Sequence, residues 1–142
     1  MATVDLSITI HAPKEKVWEL LWSDAGYRQW TSVFSEGSYA ESDWEQGSKI
    51  RFLSPDGNGM YGIIQKKVPF EQMVFEHRGE IKNGVEEPKE WAGATERYRL
   101  QEKDEVTQLS VSMDATDEFK EYFSATFPKA LAIVKRLAEQ GK

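Results

Sequence analysis

The chain has 142 residues, which suits a single domain spanning 1–142 around one core. Its 18 basic and 24 acidic side chains leave a net charge of −6, which argues against a nucleic-acid surface. With no cysteine, disulfides, thiolate catalysis and cysteine metal sites are excluded.

The first residues, MATVDLSITIHAPKEK, hold neither a basic start nor an apolar segment, and no apolar run reaches bilayer length. A cytoplasmic protein with no membrane insertion is expected. Val4, Leu6, Ile8 and Ile10 alternate with polar residues, the pattern of a half-buried strand. APKEKVWELLWSD follows, with Pro13 suited to a first helical position and Val17, Leu20 and Leu21 at helical spacing. That helix should stop near Ser23 and Asp24, with Asp24 capping a short second helix through DAGYRQW.

From residue 37 to 69, GSYA, GSKIRFL and MYGIIQKKV read as strands separated by Gly, Asp, Asn and Pro. In FEQMVFEHRGEI, residues 70 to 81, Met73, Phe75 and His77 alternate with Val74, Glu76 and Arg78. KNGVEEPKEWAG reads as a loop longer than most hairpin connections. ATERYRLQE and EVTQLSVSMD are two further strands, with a turn near Lys103 and Asp104. The last segment, TDEFKEYFSATFPKALAIVKRLAEQGK, reads as a helix whose face carries Phe119, Phe123, Phe127, Leu131 and Val134. Asp117 and Glu118 fall in its first turn and Lys135 and Arg136 near its end, as the helix dipole prefers. Pro128 predicts a kink near Ser124. The fold class is therefore α+β: an antiparallel sheet of about seven strands, two short helices after the first strand, and a long C-terminal helix covering the apolar face.

One stretch invites a different reading. GNGMYG, residues 57 to 62, has the G-x-G-x-x-G spacing of dinucleotide-binding turns. That mechanism needs a helix to begin at the third glycine. The following IIQKKVPF is β-branched and meets Pro69 too soon to form one. A hairpin turn is expected instead, with Gly57 and Gly59 at positive φ and Gly62 marking a bulge or a bend of the sheet.

In this order of elements, APKEKVWELLW, YRQWTSVF, GSYAESDWEQGSKIRFL, PDGNGMYGII, FEHRGEI, WAGATERYRL and FPKALAIVKRLAE resemble the START-like, SRPBCC superfamily over nearly the whole chain. Within it, they are similar to the branch of activators of the heat-shock-protein ATPase. The resemblance implies a helix-grip fold: a curved antiparallel sheet wrapped around a long C-terminal helix, with an apolar cavity between them. Members bind lipids, hormones or polyketides, some cyclise polyketides, and some act as co-chaperones. The branch supplies no catalytic signature to carry over, and a chaperone partner is one implication.

His77 shares parity with Met73 and Phe75, and so should face the cavity. Glu96 and Tyr98 share parity with Leu100 on the next strand and become near neighbours of His77 if the two strands pair. A carboxylate beside an imidazole raises its pKa and fixes its tautomer, which suits acid–base chemistry. No nucleophile or ligand set accompanies the trio, so a buried cluster that holds the sheet or orients a ligand's polar end takes precedence. His11 has the parity of the solvent face, and the acidic residues lack calcium-loop spacing, so no metal and no cofactor are expected.

Trp18 reads as core; Trp30 and Phe34 lie where the short helices meet the mouth of the sheet; Trp44 and Trp91 fall in loops, and most loop tryptophans fold back onto the core. The expected function is binding of a small hydrophobic molecule, with Trp30, Phe52, Phe75, Phe123 and Phe127 as walls and His77, Glu96 and Tyr98 reading its polar end. An enzyme of cyclase or hydrolase type using His77 and Glu96 is the second reading, and a chaperone-activator-like interaction module the third.

Overall fold

The alternating segments form one antiparallel sheet of eight strands. It is seen in a computed structural model that describes residues 2–89 and 92–140, the Glu118 side chain excepted; Trp91 lies outside the described residues. Strand β1 (Ala2–Ile10) leads into α1 (Lys14–Trp22) and α2 (Asp24–Trp30), which tightens into a 3-10 turn over Thr31–Val33. Strands β2 (Tyr39–Glu41), β3 (Lys49–Leu53), β4 (Gly59–Val68), β5 (Gln72–Lys82), β6 (Val85–Pro88), β7 (Thr95–Lys103) and β8 (Val106–Ala115) follow, and α3 (Asp117–Glu139) ends the chain. The sheet order is β1-β8-β7-β5-β4-β3-β2, with β6 paired to β5. This is the helix-grip arrangement.

Each strand sends alternate residues to the helix side. Val4, Ile10, Ile64, Met73, Leu109 and Val111 are buried there, against Leu131, Val134 and Ala138 of α3. Burying each such large side chain is worth about 1.5–3 kcal/mol. The far end of α3 is also tied to β1 by polar contacts: Lys135 donates to the Thr9 carbonyl at 2.9 Å and the His11 amide to Glu139 at 2.8 Å. Toward its N-terminus α3 emerges from the core, and Phe119 is 40 % exposed.

The local readings are corrected at several points. KNGVEEPKEWAG is not a loop throughout, because Asn83 and Gly84 take φ of 52° and 80° and close a tight hairpin into β6. That strand raises the number from about seven to eight. The helix α1 begins at Lys14, with Pro13 as its extended cap residue, and Ser23 rather than Asp24 caps α2 by accepting from the Gly26 amide. Pro128 lies inside α3, where the sequence placed it. Of the glycines in GNGMYG, only Gly57 sits at positive φ, 85°. Gly59 already belongs to β4, where the Phe52 carbonyl oxygen leaves no room for a Cβ. Gly62 marks a register shift against β5, as a bulge should, and β4 continues to Val68 where a phosphate-binding turn would need a helix.

His77 sits where β5 changes partners. Its edge pairs with β7 over Gln72–Glu76, then with β6 over Gly79–Lys82. Between the two, the His77 amide donates to the Ala94 carbonyl, and its carbonyl accepts from Gly93, both at 2.8 Å. The backbone of this residue is therefore fixed although it belongs to neither ladder.

Candidate functional site

A cavity of about 300 Å³ lies between the concave face of the sheet and the N-terminal half of α3. Its floor is buried and aromatic: Tyr27 and Trp30 from α2, with Tyr98 from β7. Phe34 and Phe52 form one side, while Phe123 and Phe127 roof it from α3. The rings brace one another, with Phe34 and Phe127 centroids 4.9 Å apart and Tyr27 and Trp30 centroids 5.3 Å apart. Exposed Ser35, Asn58 and Phe119 sit at the rim.

Three polar side chains converge on the floor. Phe75 pairs with Glu96 across β5 and β7, so His77, two residues further along β5, meets Glu96 on the diagonal of the same face. His77 Nε2 lies 3.0 Å from Glu96 Oε1, and the Tyr98 hydroxyl donates to Glu96 Oε2. An ionised carboxylate only accepts, so the imidazole proton sits on Nε2. The other ring nitrogen, Nδ1, is sealed from solvent without a partner. Trp30 spends its indole N–H on the Leu21 carbonyl at 3.0 Å.

Burial, and then the charge of Glu96, push the phenols of Tyr98 and Tyr27 well above the ordinary tyrosine value. The two are otherwise unlike. Tyr98 is engaged with Glu96, whereas the Tyr27 hydroxyl has no hydrogen-bond partner among the described residues, although only 8 % of the residue is exposed. Its exposure is to the cavity it lines.

Trp30, Phe52, His77, Glu96, Tyr98, Phe123 and Phe127 all line the cavity. Phe75 does not. Its ring points to the same side but is 1 % exposed, covered by Phe52 at 5.2 Å and Trp22 at 5.3 Å, so it supports the wall from behind. Trp44 folds back onto Trp22 and Tyr27. His11 is exposed, away from the trio. Sequence reasoning missed Tyr27 and Met113. Both had a signal: Tyr27 precedes Trp30 by one helical turn, and Met113 continues the inward parity of Leu109 and Val111.

Among the described residues, no helix is long and apolar enough to cross a membrane, and no group of three or more His, Asp or Glu could hold a metal ion. No curated protein sequence matches the chain significantly. Solved structures match over nearly the whole of this chain. The Aha1 dimer from Colwellia psychrerythraea is 22 % identical, with TM-score 0.78, over 100 % of this chain and 99 % of that one. Protein MLL2253 from Mesorhizobium loti is 12 % identical, with TM-score 0.79, over 99 % of both chains. CalU16 from Micromonospora echinospora is 15 % identical, with TM-score 0.71, over 99 % of this chain and 76 % of that one. At these identities the likeness is one of fold. The family model described as activator of Hsp90 ATPase homolog 1-like protein matches residues 11–139, and the chain belongs to that family.

Proposed function

We propose that the protein binds a small apolar ligand in the cavity beneath α3. The observation that carries this reading is the combination of an aromatic-walled space of about 300 Å³ with a few convergent polar groups at its floor. That combination describes small-molecule sites generally, and the volume is at the lower end of their range of roughly 300–1,000 Å³. A compact ring system suits it better than a two-chain lipid. Trp30, Phe52, Phe123 and Phe127 would bury the apolar body, with His77, Glu96 and Tyr98 at the polar end. Native mass spectrometry of gently purified protein, followed by a thermal-shift screen of apolar compounds, tests this. A chain that carries no adduct and responds to no apolar compound would refute it.

Turnover by His77 and Glu96 is a weaker reading. A general base needs a nitrogen that reaches substrate. Here Nε2 faces Glu96 and Nδ1 is sealed, so neither is offered to the cavity.

The family description supports a second reading, in which the domain docks on a chaperone ATPase and stimulates it. ATPase assays with and without the purified domain test that, and an unchanged rate with no complex in a pull-down would count against it.

A further inference from the structure

The charges around the cavity are one-sided. Its ionisable lining residues are Glu80, Glu96 and Asp114, together with His77 and the phenols of Tyr27, Tyr39 and Tyr98; no Lys or Arg lines it among the described residues. An anionic ligand would meet carboxylates and no fixed cation, which disfavours it strongly in a partly desolvated space. The carboxylates are each partly engaged by protein groups, which lessens their pull on an ammonium group. Glu96 is engaged by His77 and Tyr98. Asp114 accepts from the Thr95 amide at 3.0 Å and lies 3.6 Å from Arg97, and Glu80 lies 3.7 Å from Lys89.

What the floor does offer is one unused donor and, lining the same cavity, an acceptor whose charge Tyr27 feels. The Tyr27 hydroxyl has no hydrogen-bond partner among the described residues, and burial together with the Glu96 charge keeps it protonated. The Glu96 carboxylate accepts from His77 and Tyr98 and retains further lone pairs. A hydroxyl is the group that can accept from the one and donate to the other.

Resting on the binding reading above, we infer that the cavity selects an uncharged ring compound bearing a hydroxyl, with Tyr27 and Glu96 as the specificity-determining pair, and rejects carboxylates. The test is titration calorimetry with naphthol, methoxynaphthalene, naphthalene and naphthoate near neutral pH. Naphthol is expected to bind about tenfold more tightly than its methyl ether, the worth of one hydrogen bond that would otherwise go unmade. Naphthoate is expected to bind more weakly than naphthalene. Tyr27→Phe should weaken naphthol and its ether alike relative to naphthalene, because both oxygens accept from that hydroxyl, whereas Glu96→Gln should narrow the gap between naphthol and its ether and bring naphthoate up towards naphthalene. Because Tyr27→Phe deletes only an unpartnered hydroxyl, it keeps the test open if Glu96→Gln fails to fold. Naphthoate binding as tightly as naphthol, or naphthol no better than its ether, would overturn the inference while naphthalene binding left the cavity reading intact. If none of the four bound, the binding reading would fall and this inference with it.

Discussion

Gly62 lies directly opposite His77 across β4 and β5, at the step where their register shifts. A Cβ on Gly62 would stand 2.1 Å from the Glu76 carbonyl oxygen, which is backbone and has no rotamer to escape into. Gly62→Ala should therefore drive β4 away from β5 where His77 is held. A loss of about 3 kcal/mol is expected in urea denaturation, the upper part of the usual range for single substitutions. A loss below about 1 kcal/mol would mean that the bulge relaxes freely.

The two buried phenols predict an alkaline limit to stability. Tyr27 and Tyr98 are held above the ordinary value of 10.0 by burial first and by Glu96 second. A group whose folded pKa is raised contributes its stability below the unfolded pKa and loses it as pH rises above. The unfolded chain releases both protons above about pH 10, while the folded chain keeps them. Stability should fall with pH in that region, and tyrosinate absorbance should rise in a late step that coincides with loss of the far-ultraviolet signal. Tyr27→Phe and Tyr98→Phe should each shrink that step. Tyr98→Phe should also cost about 1–3 kcal/mol at neutral pH, because Glu96 loses a donor. A tyrosinate signal that completes before unfolding would contradict the buried placement.

Acid stability has the opposite sign and a different origin. Burial draws the Asp114 carboxyl up, but hydrogen bonds from the Thr95 amide and hydroxyl, with the Arg97 charge, outweigh it and hold the group below 3.8. A depressed carboxylate contributes its stability above the unfolded value and loses it as pH falls through the folded one. Asp114→Asn should therefore flatten the decline of stability below about pH 4 and lower stability at neutral pH. Equal acid slopes in the two proteins would show that this network carries no linkage.

Strand parity was enough to bring His77, Glu96 and Tyr98 together, because side-chain direction in a strand is set by counting. The same counting could not separate Phe75 from His77, which share a face and differ in what lies over them: Phe52 and Trp22 cover the one, the cavity opens beside the other. Depth depends on residues far away in the chain. Strand β6 was hidden because its one apolar residue, Val85, is 62 % exposed and leaves no alternation to detect, although Asn83 and Gly84 carried the turn signal. The unused hydroxyl of Tyr27 could not be read at all, since an unmade hydrogen bond exists only once every neighbour is in place.

Ala115 offers a direct test of where a ligand sits. It ends β8, is 4 % exposed, and lines the cavity near the start of α3. A larger apolar side chain there would enter the open space instead of the closed core, so the overpacking penalty of about 1–3 kcal/mol for a filled interior should be largely avoided. Ala115→Phe is expected to keep or raise the melting temperature and to weaken binding of an apolar fluorescent probe at least tenfold, the equivalent of about 1.4 kcal/mol. If the melting temperature instead fell by many degrees, the space would be tighter than 300 Å³ implies. If it held but the probe bound as before, the probe would be lodged elsewhere, with the exposed rings of Phe119 and Tyr122 as the first alternative to mutate.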